Sequence, residues 1–148
     1  MFQLPCACAN LRRADRVVSQ LYDDALRPSG LRITQFTLLQ ALTLASASSK
    51  AISQKRLAAL LAIDSTTLTR TLAPLRRKGW LRSVSAADRR ELRLSLTPAG
   101  RREYKRALPY WQTAQKNLQR ALGTQNWNRL IETAVGTAAL TSGYRDKP

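Results

Sequence analysis

Between residues 52 and 97 the spacing of apolar residues changes period, and that change restricts the fold more than any other feature. ISQKRLAALLAID, at 52–64, places Leu57, Leu60 and Leu61 on one side of a short helix, with Ser53 as its cap. DSTTLTRTLAPLRRKGW, at 64–80, places Leu68, Leu72 and Leu75 at i, i+4 and i+7, the spacing of a second amphipathic helix. Asp64 or Ser65 caps it. Gly79 ends it, with Arg76, Arg77 and Lys78 in the last turn, where cations suit the helix dipole. The period then drops to two. LRSVSA, at 81–86, and ELRLSLT, at 91–97, alternate apolar and polar residues, with Leu92, Leu94 and Leu96 on one face and Arg93 and Ser95 on the other. The spacing predicts a two-stranded hairpin whose tip is ADRR, at 87–90.

Two short helices, a tight turn and a two-stranded ribbon make a winged helix-turn-helix. More helices flank it. ANLRRADRVVSQLYDDALR, at 9–27, carries an apolar stripe through Leu11, Ala14, Val18, Leu21, Tyr22 and Ala25, and Pro28, Ser29 and Gly30 stop it. A helix follows from about Ile33, with Thr34 as its cap. Pro98 opens a long helix to about Leu122, which Pro109 bends. A last helix spans 125–140 through Trp127, Leu130, Ile131, Ala134, Val135 and Ala138. The fold class is therefore mainly α with a small β-hairpin wing. Residues 1–30 form an N-terminal dimerisation helix, residues 31–100 the winged helix-turn-helix lobe, and residues 101–148 C-terminal dimerisation helices. The stripes at 11–25 and 125–140 have no partner in a small winged lobe, so burial between two copies accounts for them.

Charge points to the partner. Lys and Arg number 25 against 9 Asp and Glu, a net charge of +16. Folded domains this basic generally meet a polyanion, most often nucleic acid. The positive residues concentrate around the second short helix and the ribbon: twelve Lys or Arg lie between Arg70 and Arg106, against Asp88, Glu91 and Glu103. Phosphate neutralisation there makes affinity salt-dependent. The helix at 64–79 turns Ser65, Thr66, Thr67, Thr69, Arg70 and Thr71 outward, and short hydroxyls beside one Arg suit a major groove. Arg76 adds a cation, and Arg93 supports the ribbon. Arg89 or Arg90 at the tip is thin enough for a minor groove, with Asp88 holding it in place.

TQFTLLQAL, then ISQKRLAALLAIDSTTLTRTLAPLRRKGWL, then DRRELRLSLTPAGR resembles the MarR family of bacterial transcriptional regulators. The resemblance covers roughly residues 8–140 and is most specific over 52–101. It implies a homodimer whose first and last two helices intertwine, and two winged lobes that read a near-palindromic operator in double-stranded DNA. It carries Ser65, Thr66, Thr67 and Arg70 over as recognition-helix residues. Arg89 or Arg90 becomes the wing-tip arginine, with Asp88 positioning it. Glu91 and Leu92 depart from the commoner residues after the arginines. A repressor released by an oxidant or a small-molecule effector is the implied function.

Other classes fit less well. There is no His to serve a nucleophile, no Gly-rich phosphate loop, and only Asp23 and Asp24 are adjacent carboxylates, so no enzyme, cofactor or metal is expected. No apolar run spans a bilayer and no signal peptide opens the chain, so a cytoplasmic protein without membrane contact is expected. An architectural, sequence-neutral DNA-binding protein is the alternative, set apart by a steep salt slope without sequence preference.

Three readings of Cys6 and Cys8 stand side by side. They are small apolar residues of a dimer core; or a redox sensor, with Arg12, Arg13 and Arg16 favouring thiolate; or a soft-metal or arsenic site, for which two thiolates in one chain are too few. Some organic-peroxide sensors of the family resembled carry a cysteine near the start of the first helix, close to Cys8 here. The tyrosine that follows it there is Arg12 in this chain. On one helix, i and i+2 face apart, which favours a bridge between subunits over one within a chain. Tyr22, Phe36, Tyr110 and Trp111 are candidates to line an effector cleft, or belong to the core.

Overall fold

A computed structural model of the chain describes residues 5–48, 51–85 and 92–144. Helix α1 (Ala7–Leu26) leads through a 3-10 turn (Arg27–Ser29) into α2 (Ile33–Ser48). A short strand β1 (Ile52–Ser53) runs straight into α3 (Gln54–Leu60), followed by α4 (Ser65–Arg77). Strands β2 (Leu81–Ser85) and β3 (Leu92–Leu96) form the ribbon, and α5 (Pro98–Leu122) and α6 (Thr124–Tyr144) complete the chain. No helix among the described residues is long and apolar enough to cross a membrane.

The mainly α architecture with a small wing is as expected, with three corrections. The sheet has three strands, in the order β1-β3-β2, all antiparallel. Ile52 and Ser53 open a strand, paired with Leu94 and Arg93, where the sequence spacing placed the start of a helix. Two residues are too few to show a period, and Ile52 is buried as a strand residue rather than a helical one. Ser53 is nonetheless the cap: its hydroxyl accepts from the Arg56 N–H at 3.2 Å. The second correction concerns Thr34, which lies inside α2 and does not cap it. The first N–H of α2, at Ile33, is bound instead by Asp23 of α1, whose Oδ1 lies 2.6 Å away. Third, Ser95, expected on the open face of the ribbon, is buried at 4% exposure beside Leu94 and Leu96.

The core centres on the winged lobe and extends to Leu26 of α1 and Ala107 of α5. Leu26, Phe36, Leu38, Leu39, Leu42, Leu57, Leu68, Leu72, Leu75, Leu94 and Leu96 are its largest fully buried side chains. The α4 stripe behaves as its spacing requires: Leu68, Leu72 and Leu75 are all wholly buried. Burial of each such side chain contributes about 1.5–3 kcal/mol, so three of them fix which face of α4 points to solvent. Phe36 stacks on Trp111 (ring centroids 5.5 Å apart) and meets Tyr104 at a tilt (5.3 Å), joining α2 to α5.

The segment 97–101 ties the ribbon to the long helix. Thr97 caps α5: its hydroxyl accepts from Gly100 N–H at 3.1 Å and donates to the Gly79 carbonyl at 2.7 Å. The Thr97 N–H donates to the Trp80 carbonyl. Pro98 takes the first helical turn, where its missing N–H costs nothing. Arg101 donates to the Leu96 carbonyl at 2.8 Å.

Outside the winged lobe α1 packs on α5, while one face of α1 and most of α6 are open. Leu11 and Val17 on α1, and Leu130, Ile131, Val135 and Leu140 on α6, are large apolar residues at 42–79% exposure. α6 packs on α5, and all its residues from 131 to 140 are exposed.

Candidate nucleic-acid interface

The outward face of α4 is built from its cap. Asp64 is extended, and its carboxylate accepts from the Thr67 N–H at 2.8 Å and from the Thr67 hydroxyl at 2.6 Å. Those bonds, the hydroxyl's first, hold the Asp64 carboxyl below its ordinary pKa. Its charge also suits the positive end of the helix dipole. The turn before it is tight. Ala62 has φ 53, in the left-handed region, and Ile63 N–H returns to the Ala58 carbonyl at 3.1 Å. That closes α3 and points α4 away from it.

Ser65, Thr66, Thr67, Thr69 and Arg70 are exposed on the first two turns, and Thr71 is half-buried. Three of the threonine hydroxyls are already committed as donors. Thr67 gives its proton to Asp64, Thr69 to the Ser65 carbonyl (2.8 Å) and Thr71 to the Thr67 carbonyl (2.7 Å). They therefore offer outward lone pairs and methyl groups, which suit amino donors and thymine methyls in a major groove. Thr69 also accepts from Gln54 Nε2 at 2.8 Å. Gln54 thus braces α3 against α4, a role that sequence reasoning missed. Its first-position place after the Ser53 cap was the only available signal.

Positive charge continues around this face. Arg76 and Arg77 are exposed in the last turn of α4. Lys78 sits with Nζ 4.5 Å above the ring of Trp80, a cation–π contact that covers the half-buried indole. Arg82 on β2 and Arg93 on β3 are exposed, with Arg93 opposite Val84 on one side and Ser53 on the other. Asp88, Arg89 and Arg90 lie outside the described residues. The structure thus gathers Ser65, Thr66, Thr67, Arg70, Thr71 and Arg76 on one helix, with Arg93 on the adjoining sheet.

The effector candidates fall in different places. Tyr22 is buried, its hydroxyl donating to Gln115 Oε1 on α5, and burial raises its pKa above the ordinary value. Phe36 is fully buried and Trp111 half-buried in the stack described above, whereas Tyr110 is exposed. One surface depression is lined by Asp23, Asp24, Arg27, Gly30, Leu31 and Arg32, and another by Lys116, Gln119, Arg120, Gly123 and Thr124. None of the four aromatic candidates lines either.

Cys6 and Cys8 are free and exposed. Cys6 is not helical. It is the extended residue before α1 (φ −101, ψ 119), and its carbonyl accepts from both the N–H and the side-chain amide of Asn10. Cys8 lies in the first turn. The expectation that the two thiols face apart treated both as helical residues, and that premise does not hold for Cys6. Among the described residues, no three His, Cys, Asp or Glu side chains gather as a metal site.

Comparison with known proteins agrees with this geometry. The family model described as a winged helix DNA-binding domain matches residues 37–100. The transcriptional regulator MosR of M. tuberculosis, in a crystal structure with DNA, is 36% identical, with a TM-score of 0.82 over 95% of this chain and 98% of that one. A second structure of the same regulator gives 36% identity and a TM-score of 0.75, over 93% and 97% of the two chains. MarR of E. coli, 20% identical with a TM-score of 0.67 over 91% and 98% of the two chains, shares the fold. No curated protein sequence matches the chain. With the helix-turn-helix, three-stranded wing and flanking helices in place, and a 36% identical regulator aligned along nearly its whole length, the chain belongs to the MarR family of winged-helix transcriptional regulators.

Proposed function

We propose that the chain works as a cytoplasmic homodimer that binds a near-palindromic operator in double-stranded DNA and represses transcription until an effector releases it. One observation carries this reading: the row Ser65, Thr66, Thr67, Thr69 and Arg70 stands exposed on a helix anchored by three buried leucines. On this reading α4 enters the major groove, Arg76 and Arg93 meet phosphates, and Arg89 or Arg90 reaches the minor groove with Asp88 behind it. The exposed apolar faces of α1 and α6 are what a second copy would cover.

The effector is an oxidant or a small molecule. The E. coli regulator has been crystallised in an oxidised form, and CouR of Rhodococcus jostii with p-coumaroyl-CoA bound. Here the exposed thiols Cys6 and Cys8 favour the oxidant. A hydroperoxide converts the Cys8 thiolate to a sulfenic acid and leaves as an alcohol; the Cys6 thiol of either subunit then displaces water to close a disulfide.

Mobility shift with an operator duplex and a scrambled duplex tests DNA reading. A large preference for the operator supports a regulator, and equal affinity for both supports sequence-neutral binding, which the net charge of +16 alone would also give. Repeating the titration after peroxide, with Cys6→Ser and Cys8→Ser beside the wild type, tests the switch. Unchanged affinity, gel mobility and intact mass after peroxide rule it out.

A further inference from the structure

The joint between α1 and α2 is held by side chains from outside it. α2 begins at Ile33, and the residue before it is Arg32, whose side chain has no acceptor for a helix N-terminus. Asp23, ten residues earlier on α1, takes the place of the cap: Oδ1 accepts from the Ile33 N–H at 2.6 Å, and Oδ2 accepts from the Arg32 guanidinium at 3.0 Å. Gln35 completes the arrangement, its Oε1 accepting from the Arg32 N–H at 3.1 Å. Asp23 is itself fixed, because its neighbour Tyr22 is buried and bonded to Gln115 of α5. From the other side, Arg106 of α5 donates to the Ser29 carbonyl at 2.8 Å while pairing with Glu103. Ser29 is buried, with its hydroxyl on the Leu26 carbonyl (2.6 Å), and Gly30 turns the chain at φ 69.

We propose that Asp23 is a positioning residue for operator reading: it sets the angle at which the winged lobe leaves the α1–α5 scaffold. α2 packs against α5 on one side and against α4 and β3 on the other, so its direction carries over from the scaffold to the reading head. α1 and α5 form the scaffold on which, in the proposed dimer, the second reading head is also mounted. The inference rests on that dimeric reading. A carboxylate that belongs to α1 and terminates α2 adds to the packing of Phe36 on α5 and holds the start of α2 against α1 more tightly than a local cap would. The span between the two recognition helices is then a fixed quantity, matched to one half-site separation.

The experiment measures affinity for a series of duplexes in which the two half-sites are moved apart or together by single base pairs. Wild type is compared with Asp23→Ala and Asp23→Asn, and melting temperature is followed alongside. The Asn variant keeps an oxygen for the Ile33 N–H and loses the ion pair with Arg32. The expected result is a sharp optimum for wild type. Asp23→Ala should lose affinity several-fold at that optimum and much less at neighbouring separations. Asp23→Asn should restore most of the sharpness. A uniform loss across all separations would overturn the positioning role and leave Asp23 a stability residue. Arg106→Ala, which removes the second tie at the Ser29 carbonyl and leaves Asp23 intact, guards against a folding defect in Asp23→Ala: a folded Arg106→Ala variant that leaves the optimum as sharp as wild type would also overturn the joint as the cause. If wild type itself has no preferred separation, the dimeric operator reading fails, and that outcome is distinct from the other two.

Discussion

Gly100, in the first turn of α5, lies so close to Trp80 that a Cβ built on it would stand 2.3 Å from the Trp80 carbonyl oxygen. The obstacle is main chain, held in turn by the Thr97 N–H, so it cannot rotate away. The glycine of LTPAG is thus required by the path of the main chain at Trp80, twenty residues earlier. Gly100→Ala is expected to lower stability by about 1–3 kcal/mol, the usual cost of overpacking, read as a drop in the thermal midpoint. A midpoint equal to wild type would show that the ribbon base has room to shift.

The Asp64 cap predicts a pH dependence with a definite sign. Its carboxyl titrates lower in the folded chain than the ordinary unfolded value of about 3.9, because the Thr67 hydroxyl and N–H favour the charged form. The stabilisation is therefore complete above the unfolded pKa and is lost as pH falls through the lower folded one. Asp64→Ala should melt below wild type at neutral pH, and the two curves should converge in acid. A gap that persists undiminished at low pH would show that the contribution is not carried by the charge.

Arg70 and Arg76 should fail differently. Arg70 projects from the exposed face of the second turn, so Arg70→Ala should cost about 1–3 kcal/mol on the operator and little on a scrambled duplex. Arg76 lies at the far end of α4, so Arg76→Ala should weaken both duplexes alike and reduce the salt slope by about 1. Titrations at several salt concentrations separate the two patterns.

The exposed apolar face of α6 is open to a charge scan. On the proposed dimeric reading, Ile131→Glu with Val135→Glu should leave helical content intact, yield monomers on sedimentation, and reduce operator affinity on the order of 100-fold as the linked second half-site is lost. A dimer that survives both substitutions would place the contact elsewhere.

Much of this was legible from spacing alone. Leu68, Leu72 and Leu75 announced α4 and its buried face, because a leucine stripe has no other economical use. Thr97, Pro98 and Gly123 marked the limits of α5, because each residue type has a narrow role at a helix end. What stayed hidden depended on contacts between distant residues. Ile52 and Ser53 become a strand only because Leu94 and Arg93 lie alongside. Thr34 looked like a cap because nothing local revealed that Asp23 reaches Ile33. Gln54 gave no sign that it would brace Thr69. Ser95 followed the alternation of its strand and is buried all the same, where alternation assigns it to solvent.

The short strand before α3 has one more consequence. Ser53 faces Arg93 across the sheet and at the same time caps the helix that leads into α4. The segment that leads through α3 into α4 is therefore joined to the wing strand β3 by backbone pairing. On the proposed reading, the offset along the duplex between a major-groove contact and its minor-groove companion is a ruler cut into the strand register, and an operator must match both marks at once.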